Sequence, residues 1–273
     1  MKISVISVTY NSGHIVKNAI NDLINRDDIE IFIVDNDSSD ETCKIISEVN
    51  ASNIKIIKNA KNIGYGRANN LAINQAIGEY ILLLNPDAII SYSDLKKLAE
   101  VAERGDMAIL SPKLVETKDY HASGDENHKI ENRDYVIFGC VLISKKAIDK
   151  IGVFDEKIFM YYEDLDMCKR AHKAGLKVCE CTTVQAYHEG SGSSLKTTKV
   201  LLWKEYQFGR AKVYYKAKYH ANPSISWLLC VRYILKYIIS TVVNLAIFNK
   251  KKLIKSAGRL AGTVMAIADK CNN

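Results

Sequence analysis

Between residues 3 and 87 the chain repeats one cycle: a short β-branched run, a polar cluster, then apolar residues at helical spacing. Ile3 to Val8 leads into Thr9-Tyr10-Asn11-Ser12-Gly13 and a helix expected over His14 to Asn25, with Ile15, Ala19, Ile20 and Leu23 on one side. Ile29 to Val34 leads into Asp35-Asn36-Asp37-Ser38-Ser39-Asp40 and a helix through Ile45, Ile46 and Val49. Ile54 to Ile57 precedes the polar stretch Asn59 to Gly66 and a helix near Arg67 to Ala76, and Tyr80 to Leu84 ends in Asn85-Pro86-Asp87. Alternation of this kind predicts an α/β fold: a Rossmann-like, mostly parallel sheet with helices on both faces. Ligands of such sheets bind beyond the carboxyl ends of the strands, where every one of these polar clusters lies.

Farther on, a helix is expected over Asp94 to Glu103 and strands over Met107 to Ser111, Tyr135 to Ile143 and Lys177 to Cys179. The histidine-bearing stretch Glu116 to Arg133 reads as a mobile loop or short hairpin, and the Ser-, Gly- and Thr-rich stretch Ser191 to Thr198 as a flexible loop. Beyond it the composition changes. From Lys199 onward 14 Lys/Arg face only Glu205 and Asp269, a net of +12, whereas residues 1–198 carry a net of −5. Ile225 to Phe248 is apolar but interrupted by Arg232 and Lys236, and Lys250-Lys251-Lys252 follows. Its longest uncharged run, Tyr237 to Phe248, falls short of the roughly 18 residues that span a bilayer. The pattern fits an in-plane helix on an anionic membrane surface with a polybasic flank. It equally fits a helix packed on the preceding domain or on a homodimer partner.

Several classes are excluded. Hydrophobic residues make up 48% and charged residues 25% of the 273, with three prolines, so the chain is neither disordered nor collagen-like. The seven cysteines are odd in number and lack C-x-x-C pairs, which points to reduced thiols rather than a disulfide frame or zinc ribbon. Met1-Lys2 runs straight into Ile3 to Val8, too short for a signal-peptide core, so the site is expected to face the cytoplasm. No nucleic-acid recognition motif accompanies the basic tail.

Individual clusters carry candidate chemistry. Asp87 sits just past an apolar run, where a carboxylate has no packing role; a single Asp with phosphate oxygens suffices for Mg2+ or Mn2+, though Asn-Pro-Asp also makes an ordinary turn. Asp35 and Asp37 can accept hydrogen bonds from a base N–H or ribose hydroxyl, or simply cap a helix. Arg67 can reach a phosphate, and Gly64 and Gly66 before it allow close backbone approach. This G-x-G follows the third strand and lacks a final glycine, so it is not a dinucleotide fingerprint. Tyr162-Glu163-Asp164-Leu165-Asp166 crowds three carboxylates at a helix entry, which raises a carboxyl pKa and suits Asp164 as a general base, with Glu163 positioning the acceptor or the loop. His188 can complete a metal shell, bind diphosphate, or be structural.

The ordered set Val8-Thr9-Tyr10-Asn11, Val34-Asp35-Asn36-Asp37-Ser38, Asn62 to Asn70, Leu84-Asn85-Pro86-Asp87, Gly152-Val153-Phe154-Asp155-Glu156 and Tyr162 to Asp166 resembles the family-two inverting glycosyltransferases of GT-A fold, in the rhamnosyltransferase-like branch. The resemblance spans roughly residues 3–190; with the composition change at Lys199 it implies a catalytic domain over 1–198, with a nucleotide-sugar half over about 1–90 and an acceptor half over about 91–198, and leaves 199–273 as the helical, basic and amphipathic extension read from composition. It implies nucleotide contacts at Thr9, Tyr10, Asn11, Asp35, Asp37, Arg67 and Asn85, and a cation, Mg2+ or Mn2+, on Asp87 and His188. It also implies base catalysis by Asp164 with Glu163, and acceptor contacts at Gly139, Cys140, Tyr162 and Asp166. Asn85 stands where many relatives have the first Asp of D-x-D. The expected donor is dTDP-rhamnose or a UDP-hexose. The expected acceptor is a lipid-linked saccharide of surface polysaccharide synthesis, at the inner face of the cell membrane. Rival readings are a non-catalytic nucleotide- or lipid-binding protein on the same fold, and a sugar-phosphate nucleotidyltransferase, whose glycine-rich basic N-terminal loop is missing here.

Overall fold

The computed structural model describes residues 1–116, 129–190, 197–219 and 223–271, with the side chains of 223–230 and 270–271 excepted. His121, His128 and most of the Ser191 to Thr198 stretch, each given a loop reading above, lie outside the described residues, as does His220. The chain divides into two units, Met1–Asp155 with Asp164–Ser194, and Glu156–Glu163 with Leu195–Asn273. Residues 156–163, inside the expected catalytic segment, thus group with the second unit.

The first unit is built on one sheet. In chain order its elements are β1 (Ile3–Thr9), α1 (Gly13–Ile20), β2 (Ile29–Asp35), α2 (Thr42–Ser47), β3 (Ile54–Lys58), α3 (Tyr65–Ile73), β4 (Tyr80–Leu84) and β5 (Ala88–Ile89). There follow α4 (Tyr92–Gly105), β6 (Ile109–Val115), β7 (Ile130–Asn132), β8 (Cys140–Ser144), α5 (Lys145–Ile151), α6 (Glu163–Lys173) and β9 (Val178–His188). Among the described residues the strand order is β3-β2-β1-β4-β8-β6-β9-β5, with β7 also on β9. The expected parallel arrangement holds for β3, β2, β1 and β4. Past β4 the sheet is mixed: β8 runs antiparallel to β4 and β6, β6 and β9 are parallel, and β5 and β7 run antiparallel to β9.

Strands covered on both faces read as continuous apolar runs because both side-chain directions are buried. Ile3, Val5, Ile31, Ile33, Leu82 and Leu84 pack on one face with Leu95, Leu98, Ala99 and Ala102 of α4. Ile6, Phe32, Val34, Ile81 and Leu83 pack on the other with Ala68, Ala72 and Ile73 of α3 and Met167, Cys168 and Ala171 of α6. Local chemistry sets the helix limits. Ser91 and Ser144 cap α4 and α5, accepting from Asp94 N at 3.0 Å and Ala147 N at 3.1 Å. Asp106 in a left-handed conformation ends α4, and Gly152 at φ 79° follows α5. Helix α1 stops at Ile20, short of the expected Asn25. β8 begins only at Cys140, five residues past the expected Tyr135; in the segment before it Val136 and Phe138 are buried while Tyr135 and Ile137 are exposed.

The second unit holds α7 (Thr198–Tyr219), α8 (Pro223–Ala246) and α9 (Lys250–Cys271). Gly258 and Gly262 of α9 let its backbone approach α7: a Cβ at Gly258 would lie 2.8 Å from Leu202 O, and one at Gly262 would collide with the Tyr206 carbonyl. Arg259 Nε donates to Glu205 Oε2 at 2.6 Å across the same crossing. The 156–163 segment packs its rings on α7, Phe159 on Trp203 and Tyr161 and Tyr162 on Phe208.

Candidate active site

The parallel register places Thr9 opposite Asp35, so β1 and β2 end level, with β4 ending beside them. Thr9 Oγ1 donates to Asp35 Oδ1 and Ser38 N to Asp35 Oδ2, each at 3.1 Å. A carboxylate offers about four lone-pair directions, so the buried Asp35 keeps accepting capacity. Asn11, at φ 53°, turns its amide oxygen to Ser39 N at 2.8 Å and Asp40 N at 3.3 Å, which pins the loop after β1 to the loop after β2. Tyr10, Asp37 and Arg67 are exposed at this edge.

Asn36, passed over in the sequence, organises the neighbouring loop. Its Nδ2 donates to Asn62 Oδ1 at 3.0 Å and Gly64 O at 3.3 Å, and its Oδ1 accepts from Asn59 Nδ2 at 3.1 Å and Ile63 N at 3.0 Å. An amide between two aspartates, able to donate and accept at once, was the available signal. Gly64, at φ 90°, opens α3. The close approach at Gly66 is to protein: a Cβ there would lie 3.0 Å from Phe154 Cβ, so this glycine serves packing, not ligand access. Asn70 bonds both backbone groups of Phe154, accepting from its N at 2.9 Å and donating to its O at 3.0 Å.

Asn85, Asp87 and His188 meet where β4 ends. β5 pairs antiparallel with β9, placing Ala88 opposite His188, so a histidine at the far end of the unit's sequence comes beside Asp87. His188 Nε2 lies 3.5 Å from Asp87 Oδ1 and 3.5 Å from Asn85 Nδ2. Backbone bonds hold the turn: Asn85 N to Gly139 O at 2.8 Å, Ala88 N to Asn85 O at 2.9 Å and Glu189 N to Asp87 O at 3.1 Å. A Cβ on Gly139 would stand 2.6 Å from His188 Cε1, so Gly139 is the floor under the imidazole. Among the described residues no three His, Cys, Asp or Glu side chains gather as a metal cage. The donor set of one carboxylate and one imidazole nonetheless fits Mn2+ or Mg2+, which take few protein ligands when phosphate oxygens and water complete the shell.

Asp164 lies in the first turn of α6. Tyr161 and Tyr162, just before the helix, adopt φ of 69° and 67°. Consecutive left-handed tyrosines cost about 1–3 kcal/mol each and gather at functional sites. Burial raises the Asp164 carboxyl above the ordinary carboxylate range, and the bond from Leu165 N at 2.7 Å opposes it. Desolvation is thus the leading cause, not the neighbouring carboxylates invoked from sequence. Glu163 precedes it, half-buried. Burial pushes the Tyr162 hydroxyl up to about 12, and its ring lies 5.3 Å from that of Tyr215.

Two of the residues expected at the acceptor, Asp166 and Cys140, have buried side chains. Asp166 is fully buried and accepts from Arg170 Nε at 2.9 Å, while Arg170 Nη1 donates to Gly152 O at 3.0 Å. That carboxylate ties α6 to the turn after α5. The Cys140 side chain is buried in the core with Leu84 and Leu142, and burial raises its thiol pKa. Gly139, another of the four, lies against the His188 ring.

Residues 4–166 match the model of glycosyl transferase family 2. The chain is similar to the low-salt glycan biosynthesis hexosyltransferase Agl10 of Haloferax volcanii, 26% identical over 209 residues that cover 68% of this chain and just under two thirds, 66%, of that protein. It is similar to the N-acetylglucosaminyl-diphospho-decaprenol L-rhamnosyltransferase of Mycobacterium tuberculosis, 22% identical over 236 residues, covering 70% of this chain and 76% of the other. Among solved structures, the mannosyltransferase PcManGT of Pyrobaculum calidifontis, in complex with GDP-Man and Mn2+, matches with TM-score 0.64 at 13% identity over 98% of this chain and 88% of that one. At that identity the likeness speaks to the fold.

Proposed function

The chain belongs to glycosyl transferase family 2, with the GT-A fold, and on that premise we propose that it transfers a sugar from a nucleoside-diphosphate donor to a saccharide with inversion at the anomeric carbon. The observation that most supports this reading is the meeting of Asn85, Asp87 and His188 at the strand edge that carries the Thr9–Asp35 pair. The donor is dTDP-rhamnose, with a UDP-hexose as its competitor, and the acceptor is a lipid-linked saccharide of surface-glycan synthesis. The similarity to a rhamnosyltransferase whose name carries a diphospho-decaprenol substrate supports that choice.

Residues 1–90 form the donor half and 91–198 the acceptor half. Thr9, Tyr10, Asn11, Asp35 and Asp37 receive the nucleoside, with Asp35 accepting from a base N–H or ribose hydroxyl. Arg67 and Asn85 meet the phosphates. Asp87 and His188 hold Mn2+ or Mg2+, whose chemistry when bound is to neutralise the departing diphosphate. Asp164 takes the proton of the acceptor hydroxyl as its oxygen bonds to the anomeric carbon and the bond from that carbon to the diphosphate oxygen breaks. Burial makes Asp164 a stronger base than an exposed carboxylate, and Glu163 beside it orients the acceptor.

Donor-only turnover tests the reading: purified protein with dTDP-, UDP- and GDP-sugars, with and without manganese or magnesium, beside Asp164→Asn. Slow nucleotide release from one donor, lost in the variant, is expected. No release together with no nucleotide binding by calorimetry would return the chain to the non-catalytic reading.

A further inference from the structure

Over its described side chains, from Val231 onward, helix α8 is built inside out. Tyr237 and Asn244 are buried within the helical unit, with Tyr233 and Ser240 beside them on the same stripe. That inward stripe is polar and bonded: Lys212 Nζ donates to Tyr237 Oη at 3.4 Å and stands 4.1 Å over the Tyr233 ring, while Asn244 Nδ2 donates to Ser240 O at 2.6 Å. The outward face is apolar. Leu235, Ile238, Ile239, Val242 and Leu245 are 42 to 62% exposed, and Phe248, at the turn into α9, is 92% exposed. A helix on a water-facing surface has the opposite arrangement. Exposed apolar surface of this extent, rimmed by charge, marks a surface that another phase or molecule covers.

The rim carries one sign. Arg232 and Lys236 stand at one end of the face and Lys250, Lys251 and Lys252 at the other, all exposed. Among the described residues no helix is long and apolar enough to cross a membrane. We propose that α8 lies in the plane of an anionic lipid bilayer, with Leu235, Ile239, Val242, Leu245 and Phe248 among the acyl chains and the flanking cations on headgroup phosphates. A second copy of the chain is the poorer occupant. A two-fold contact through this face would bring like cations together across the interface. Lipid phosphates satisfy the cations while acyl chains cover the apolar residues.

The inference concerns the helical unit and is read without donor or acceptor, so it stands or falls separately from glycosyl transfer. The full chain is floated with phosphatidylcholine vesicles and with vesicles that also contain phosphatidylglycerol. Binding to the anionic vesicles, weakened by salt, is expected, with little to the neutral ones. Lys250→Ala, Lys251→Ala and Lys252→Ala together weaken binding about a hundredfold at low salt, each lysine contributing about fivefold. Ile239→Asp with Val242→Asp, both at exposed positions, abolishes it while the melting temperature stays unchanged. A folded chain that floats with neither vesicle type overturns the proposal. So does equal binding to both, or a dimer in sedimentation velocity that the two aspartates dissolve.

Discussion

At the scale of single residues, burial tells apart carboxylates that look alike in sequence. Asp164 and Asp166 stand two apart, yet Asp166 is spent on Arg170 whereas Asp164 is raised by desolvation. A base must be deprotonated to act, so kcat/KM falls on the acid side at a pH above the ordinary carboxylate range. Asp164→Asn should lower kcat about 10²–10⁴-fold and remove that acid limb. Stability moves the other way. A carboxyl raised in the folded state contributes stability below its unfolded pKa and loses it as pH rises through the folded one. Asp164→Asn should therefore melt higher than the parent at neutral pH, with the gap closing toward acid; a variant that melts lower at neutral pH would deny the burial argument. Gly139 supplies a second prediction. Its Ala variant forces the His188 ring aside, so nucleotide release should fall at least about tenfold, as in His188→Ala, and stability should drop by about 1–3 kcal/mol. Unchanged turnover despite the lowered melt would show the imidazole to be idle.

At the scale of elements, sequence legibility follows locality. β1, β2 and β4 were readable because each strand carries its own signal, a buried apolar run and a polar end, whereas β3 was read from its isoleucines although none of its residues is buried. β5, two residues long, has no such signal and exists only by pairing with β9. That pairing puts His188 on Asp87 across a separation no local pattern encodes. The mixed half of the sheet was hidden likewise: strand direction depends on partners far along the chain, and β8 is apolar whichever way it runs. Asn70 shows the same from the opposite side. Asn62 to Asn70 and Gly152 to Glu156 were separate pieces of the resemblance; in the fold they are one lock, Asn70 bonding both backbone groups of Phe154. Asn70→Ala leaves a buried N–H and a buried C=O without that partner. At about 1–3 kcal/mol for each of the two unsatisfied groups, urea denaturation should report a loss of about 2–6 kcal/mol. A loss under about 0.5 kcal/mol, the usual surface effect, would mean that the two segments are held by packing alone.

At the scale of the whole molecule, charge divides the work. Residues 1–198 are net acidic at −5, and a nucleoside diphosphate is also an anion, so the sheet unit gains no long-range attraction for its donor. Its affinity must come from local groups, and the two proposed ligands, Asp87 and His188, would be too few to hold a cation well without phosphate oxygens. Metal and nucleotide should then bind as a pair, each raising the affinity for the other by the same factor. Thermal melting can read this directly. Mn2+ alone, or the donor's nucleoside diphosphate alone in EDTA, should shift the transition little. Together, near a hundred times their joint Kd, they add about 2.7 kcal/mol, which in a domain of this size is roughly 5–10 °C. Asp87→Ala should cancel the synergy in a chain that still folds, since the turn that carries this buried carboxylate is held by backbone bonds. If Mn2+ alone stabilises as much as the pair, the chain holds a complete metal cage that two ligands cannot provide. If the pair stabilises Asp87→Ala as well as the parent, the cation sits elsewhere and Asp87 is only part of a turn.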